Sequence, residues 1–129
     1  MILYVGGHAA GMDRIIKEKY NSGEAVIEEL HLWIREELLK LCKEEKFSEK
    51  DYDQLTEMVR VRLEELIARS LSDGHRILVI SADLIGSGLV PIDSFDRCWR
   101  EVTGRVLTQL AAQAQEVYRV ICGVEQRIK

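Results

Sequence analysis

The chain of 129 residues has little of several features that mark particular protein classes. It contains only one proline. Its three cysteines are widely separated, so neither a disulfide framework nor a zinc site built on paired cysteines is expected. No apolar run approaches the roughly 20 residues that a membrane helix needs. Acidic residues (22) outnumber basic ones (18), and the net charge of −4 removes the usual electrostatic source of nucleic-acid binding.

The composition that remains is typical of one globular domain. Hydrophobic residues make up 47% and charged residues 31% of the chain, and we expect a single domain over residues 1–129. The first apolar run, residues 2–5, meets a glycine pair at once and is too short for the apolar part of a signal peptide. These features predict a reduced, soluble, cytoplasmic protein with no membrane or nucleic-acid partner.

Strand-like and helix-like patterns alternate along the chain. Apolar runs typical of buried strands lie at residues 2–5, 77–80 and 117–122. A shorter run at residues 25–27 also fits a strand, although the pattern at residues 24–28 leaves strand and helix both open. Helical spacing of apolar residues occupies residues 12–20 and 28–41, a segment that opens at Ser48 and ends near residue 72, and residues 93–115. The alternation predicts an α/β fold with a mainly parallel sheet of about four strands flanked by helices, the last strand ending at Gly123.

Local signals predict where two of these helices begin and where one of them ends. Ser48 with Asp51 three residues later resembles a capping box, with Asp in place of the usual Glu or Gln. Asp93 or Ser94 is expected to cap the last helix. Gly74 is expected to stop the helix that ends near residue 72.

The segment between the first strand and the first helix has the outline of a phosphate-binding loop. Gly6 and Gly11 have the separation of the two glycines in the P-loop pattern, in which backbone N–H groups wrap an anion. That pattern continues with a lysine and a serine or threonine, where this chain has Met12 and Asp13. The candidate nucleotide-binding residues are Gly6, Gly7, His8, Ala9, Ala10, Gly11, Met12 and Asp13.

Other polar residues carry weaker signals. Glu28 follows the second apolar run, where a carboxylate can hold magnesium through water, although a solvated helix start explains it equally well. Asp13 either complements the positive N-terminus of its helix or holds a metal ion. The three histidines are interpreted as loop or surface residues without partners, and the three cysteines as core residues: His8, His31, His75, Cys42, Cys98 and Cys122.

The second half of the chain carries a series of motifs that together resemble one family. They are Gly86-Ser87-Gly88-Leu89-Val90-Pro91, Arg97-Cys98-Trp99-Arg100-Glu101, Gly104-Arg105 and Val117-Tyr118. They are similar to the tail of the bifunctional adenosylcobinamide kinase/adenosylcobinamide-phosphate guanylyltransferase family of cobalamin biosynthesis. The opening M-I-L-Y-V-G-G and the segment L-H-L-W also resemble that family, and the latter places Glu28 at its Walker B aspartate.

This resemblance implies a fold, ligands and further site residues. The fold is a P-loop-NTPase-like domain, the cofactor GTP or ATP with magnesium, the partner a corrinoid, and the assembly a homo-oligomer, trimeric in the family. The resemblance adds six candidate site residues: Asp83, Gly86, Gly88, Pro91, Arg97 and Arg100.

The chain also departs from the family's pattern at the positions that carry chemistry. The family's loop reads G-G-x-R-S-G-K-S, and Ala9, Met12 and Asp13 stand at its Arg, Lys and final Ser. The interval after the first helix is shortened, and no histidine corresponds to the guanylylated one. The favoured hypothesis is a catalytically impaired member that retains nucleotide or corrinoid binding. A reduced but active kinase without guanylyltransferase activity and a structural oligomeric scaffold remain alternatives.

Overall fold

The computed structural model of the chain describes residues 1–44, 51–86 and 93–129, and within them strands and helices alternate as the α/β prediction requires. The strands are β1 (Ile2–Gly6), β2 (Ala25–Ile27), β3 (Leu78–Asp83), β4 (Glu116–Ile121) and β5 (Val124–Arg127). The helices are α1 (Met12–Lys19), α2 (Leu30–Glu44), α3 (Tyr52–Leu71) and α4 (Ser94–Gln113). No helix in these ranges is long and apolar enough to cross a membrane.

The five strands form one sheet in the order β2-β3-β1-β4-β5. β1 pairs in parallel with β3 and β4, and β2 pairs in parallel with β3. The carboxyl ends of these four strands therefore meet at one edge of the sheet, which is where open α/β sheets bind their ligands.

The fifth strand, β5, corrects the prediction that the sheet ends at Gly123. Cys122 and Gly123 have φ of 49° and 75°, and this turn reverses the chain so that β5 pairs antiparallel with β4. The sequence V-E-Q-R of β5 is mostly exposed and polar, so it carries no apolar run to announce a strand.

The two faces of the sheet are covered unequally. Alternate residues of the strands, among them Leu3 and Ile80, point into a large apolar core beneath α2, α3 and α4. The opposite face holds a smaller apolar cluster in which Tyr4 and Val79 pack against Met12 and Ile16 of α1.

The helix ends follow the local signals in part. The Asp93 carboxylate accepts hydrogen bonds from the backbone N–H groups of Phe95 (2.8 Å) and Asp96 (3.2 Å), so Asp93 rather than Ser94 caps α4. Asp51 precedes α3 but makes no side-chain capping hydrogen bond, and Ser48 lies outside the described residues. Gly74 takes the left-handed conformation (φ 84°) just after α3, as predicted.

Candidate functional site

The loop between β1 and α1 is a tight turn at the carboxyl edge of the sheet. Ala9 and Gly11 have φ of 57° and 88°, and the Ala10 N–H donates to the Gly7 carbonyl at 3.3 Å. The hairpin between β4 and β5 supports the loop, because the Gly123 N–H donates to the Ala10 carbonyl at 2.7 Å. The loop thus presents backbone at the N-terminus of α1, where the helix dipole favours negative charge.

Packing within the chain requires glycine at two positions of this loop and not at a third. A Cβ added at Gly6 would lie 2.8 Å from the Val120 carbonyl oxygen, and one at Gly11 would lie 3.1 Å from the Gly123 Cα atom. Packing within the chain therefore accounts for both. A Cβ added at Gly7 would meet nothing within 4 Å, so no contact inside the protein requires glycine there.

The loop forms one wall of a cavity of about 350 Å³, which we call the loop cavity. Seven of the eight predicted loop residues line it, Gly7 through Asp13, whereas Gly6 is buried behind them at the end of β1. The other walls are Arg14, Glu29, Ser81 and Asp83. The structure therefore brings the predicted loop and the predicted Asp83 together.

Glu29, next to the predicted metal residue Glu28, is the carboxylate that lines the loop cavity. Glu29 has a φ of 54°, and its N–H lies 3.3 Å from the Ser81 hydroxyl oxygen, to which it donates. Glu28 is exposed and does not line the cavity. Sequence spacing does not distinguish two adjacent glutamates, because the backbone turn at Glu29 decides which of them faces the cavity. The assignment of Glu28 to a metal stays a prediction.

Asp83 lies between two histidines, so the interpretation of His8 and His31 as partnerless is wrong. The Asp83 N–H donates to His31 Nδ1 at 3.0 Å, and His31 Nε2 lies 3.5 Å from Asp83 Oδ2. His8 Nδ1 lies 3.4 Å from the same oxygen. His31 is buried (5% exposed), and its backbone carbonyl accepts a hydrogen bond from Trp99 Nε1 at 2.7 Å. The sequence hides this cluster because its members come from the β1–α1 loop, α2 and β3.

Met12, at the position of the P-loop lysine, lines the loop cavity but is largely buried. It is 7% exposed and belongs to the apolar cluster of Tyr4 and Ile16. Asp13 and Arg14 are exposed, and the Arg14 guanidinium pairs with Glu18 at 3.1 Å along α1. Whatever binds at this loop therefore does so without a lysine at that position.

The charges around the loop cavity suit a ligand that carries a divalent cation. Its lining includes three carboxylates, Asp13, Glu29 and Asp83, against the single guanidinium of Arg14. No group of three or more His, Cys, Asp or Glu side chains within residues 1–42, 51–86 and 93–129 could hold a metal by itself. Magnesium keeps several waters and uses one or two carboxylates together with substrate phosphates, a demand that Glu29 and Asp83 can meet.

Among the remaining predicted site residues that the structure describes, Gly86, Arg97 and Arg100, none lines the loop cavity. Gly86 and Arg100 line a separate open cavity of about 660 Å³ between α3 and α4, where the Arg100 guanidinium donates to the Gly86 carbonyl. Arg97 is partly buried on α4. Gly88 and Pro91 lie outside the described residues.

The cysteines differ from one another. Cys98 is fully buried, and burial raises the pKa of its thiol to about 12, which confirms the prediction of an inert core residue. Cys42 is partly buried, and its pKa is also raised by burial. Cys122 is exposed, so the core prediction is wrong there, because the residue lies in the hairpin turn rather than in a strand.

A mostly parallel sheet with a glycine loop between its central strand and first helix, at the carboxyl edge, defines an α/β protein of P-loop-like architecture. Residues 8–128 match the family described as cobinamide kinase / cobinamide phosphate guanyltransferase, and the chain belongs to that family. The resemblance seen in its motifs is therefore confirmed, and it links the chain to the proteins of cobalamin biosynthesis.

Two curated proteins named bifunctional adenosylcobalamin biosynthesis protein CobU are similar to this chain. The protein of Escherichia coli (strain K12) is 28% identical over 119 residues, which cover 92% of this chain and 65% of that protein. The protein of Salmonella typhimurium (strain LT2) is 30% identical over 79 residues, which cover 61% of this chain and 43% of that protein. The chain therefore spans less than two thirds of the length of either relative.

Proposed function

We propose that the chain is a nucleotide-binding member of its family in which phosphoryl transfer is impaired, and that it serves cobalamin biosynthesis as a binding or regulatory protein. The ligand is GTP or ATP with magnesium, held at residues 6–13. The observation that carries this proposal concerns Gly7. This residue lines the loop cavity, and no contact within the protein requires a glycine at its position.

A phosphate explains the glycine at this position. A bound phosphate approaches the backbone N–H groups of such a loop closely, and a Cβ at Gly7 would occupy space that the ligand needs. The loop stands at the start of α1, so the positive end of the helix dipole adds to the attraction. Glu29 and Asp83 would hold the magnesium ion, which neutralises the phosphate charge that these carboxylates would otherwise repel.

Impaired catalysis follows from the side chains at the two positions after Gly11. Met12 is buried in the apolar cluster and carries no charge, and Asp13 has no hydroxyl to bind magnesium as serine does. Loss of one donor to the transition state commonly lowers the rate by roughly 10²–10³. Arg14 pairs with Glu18 and is a poor replacement, because residues two apart do not share a helix face.

Isothermal titration with GTP and with ATP, each with magnesium, tests this proposal. We expect binding by the wild-type protein and at least about tenfold weaker binding by Gly7→Ala, at an unchanged melting temperature. Gly104→Ala is the matched control, because its Cβ also meets nothing within 4 Å and it lies in α4, away from the loop cavity. The absence of heat at millimolar nucleotide would reject the proposal.

The alternative of a reduced but active kinase is favoured by the contacts of Asp83. A carboxylate between His8 and His31 could hold the metal or accept a proton from the substrate hydroxyl. Slow nucleotide turnover with adenosylcobinamide that disappears in Asp83→Asn would support this alternative. Binding without turnover would support the impaired protein.

Family membership supports three further proposals. They are a corrinoid as a second ligand, a cytoplasmic location and a homo-oligomeric state, with a trimer as the expected size. Sedimentation velocity measures the oligomer directly. A defined oligomer that binds neither nucleotide nor corrinoid would leave the scaffold as the remaining role.

A further inference from the structure

A second cavity, which we call the α4 cavity, lies between α4 and the β1–β4 part of the sheet. Its volume is about 590 Å³, within the usual range of small-molecule sites. Most of its lining is apolar and includes Leu3, Val5, Leu107, Ala111, Val117 and Ile128. None of the residues of the loop cavity belongs to it.

Thr103 lies in the wall of the α4 cavity, but its hydroxyl is sealed from the cavity. The residue lines the cavity and is 1% exposed, and its Oγ1 has no hydrogen-bond partner. Among the side chains of residues 1–42, 51–86 and 93–129, it is the one buried polar atom in this condition. Because this oxygen is buried behind the wall, a ligand in the cavity does not reach it, and the head group of such a ligand must be recognised elsewhere.

Arg119 adds a positive charge to the same cavity. It is exposed, lies opposite Val5 in the pairing of β1 with β4, and forms no ion pair within the described part of the chain. This arginine lies beside an apolar wall and has no carboxylate partner. It is suited to an anionic head group, because a planar guanidinium binds carboxylate or phosphate through bidentate hydrogen bonds.

The topology places Arg119 towards one end of the α4 cavity. Because α4 connects the parallel strands β3 and β4, it runs antiparallel to them. Thr103 therefore lies nearer the carboxyl edge of the sheet, on the side of Arg119, while Ala111 lies nearer the amino edge with Val117. Thr103 and Ala111 are about 12 Å apart along the helix axis.

We propose that the α4 cavity binds a small anionic amphiphile. Its apolar body lies along Leu107 and Ala111, and its head group meets Arg119. The proposal concerns residues outside the loop cavity, so its test does not depend on whether the protein binds a nucleotide.

Displacement of the fluorescent probe anilinonaphthalene sulfonate, an aromatic anion, tests the required charge. We expect decanoate and decyl phosphate to displace the probe, and decyltrimethylammonium to displace it far less. Arg119→Gln should weaken decanoate binding by about tenfold and leave decanol unaffected. Arg76→Gln, at an exposed arginine outside the cavity, should bind decanoate like the wild type. A preference between decanoate and decyl phosphate would show which head group the site takes.

Two variants that should fold test the location. Gly104 lines the cavity and a Cβ there meets nothing within 4 Å, so Gly104→Leu should raise the melting temperature through helix propensity while it blocks the probe. Ala112→Leu, at an exposed position on the same helix, should leave probe binding intact.

Three results would overturn the proposal. One is equal displacement by the anionic and the cationic amphiphile, and another is full probe binding by Gly104→Leu. The third is probe binding that appears only when the protein is diluted, because a second copy of the chain would then fill the cavity.

Discussion

The phenol of Tyr4, in the central strand, donates a hydrogen bond to the Glu125 carboxylate of the last strand at 3.1 Å. Tyr4 is fully buried, and its hydroxyl also lies 3.0 Å from the hydroxyl of Tyr20. Burial, followed by the hydrogen bonds to Tyr20 and Glu125, holds the pKa of Tyr4 far above its usual range. Lys19 completes the cluster by pairing with Glu125 at 3.1 Å. One phenol thus connects β1, α1 and the C-terminal hairpin.

Tyr4→Phe should lower the free energy of unfolding by about 1–2 kcal/mol, because the ring still fills its space but Glu125 and Tyr20 lose a buried partner. Urea denaturation measures this loss. Tyr118→Phe is the matched control, since the Tyr118 ring stacks on Tyr4 but its hydroxyl bonds to Glu116 outside the cluster. An equal effect of both substitutions would contradict a special role for the Tyr4 hydroxyl.

The ion pair between Glu37 and Arg62 should make stability depend on acid pH. Glu37 Oε2 lies 2.7 Å from Arg62 Nη1, and the pair joins α2 to α3. Burial pushes the pKa of Glu37 up, but hydrogen bonds from Arg62 and Lys40 outweigh it and hold the pKa below the usual value. The unfolded chain therefore binds this proton more readily than the folded one, so the stabilisation is present above about pH 4.5 and is lost as the pH falls through the lowered pKa.

Glu37→Gln should therefore cost about 1 kcal/mol near neutral pH, where Arg62 remains partly in water, and less at about pH 3. Urea midpoints at the two pH values measure the difference. Glu36→Gln, at an exposed neighbour on the same helix, provides the matched control. A variant whose loss of stability is the same at both pH values would show that the pair does not carry the dependence.

Cys122→Asn should stabilise the protein by about 0.5–1 kcal/mol. Cys122 and Gly123 both have positive φ, the requirement of the two-residue hairpin turn that Asn-Gly satisfies best. Asparagine adopts this conformation more easily than cysteine, and the exposed thiol makes no core contact that would be lost. The change should appear as a higher melting temperature under reducing conditions, and a lower one would show that the thiol has a role in the fold.

Met12→Lys combined with Asp13→Ser should strengthen nucleotide binding by about tenfold or more. The pair restores the charge and the hydroxyl of the P-loop pattern, and a charged hydrogen bond is worth about 1.5–3 kcal/mol. The lysine stem can follow the apolar path of Met12 while its amine reaches the open cavity. Titration with GTP and magnesium measures the gain. Met12→Leu with Asp13→Ala keeps an apolar residue at position 12 and removes the negative charge at position 13. A similar gain in affinity there would show that the repulsion between Asp13 and the phosphates accounts for the whole effect.

Local patterns determined much of the fold. The apolar runs at residues 2–5 and 25–27 became β1 and β2 with little change, because strands buried on both faces carry continuous apolar sequence. The glycine spacing predicted the loop between β1 and α1, and Asp93 marked the start of α4. Both signals could be read from the sequence because they depend on neighbours within a few residues.

Only the tertiary structure decided which polar groups meet. His8, His31 and Asp83 are distant in sequence and come together at the carboxyl edge of the sheet, while a positive φ at Glu29 brings that residue, rather than Glu28, to the loop cavity. In the sequence, Thr103 occupies an ordinary helical position. Only the packing of α4 on the sheet buries its hydroxyl without a hydrogen-bond partner. A sequence by itself determines the periodicity that buries a segment, but contacts among distant residues depend on how the buried segments pack against one another.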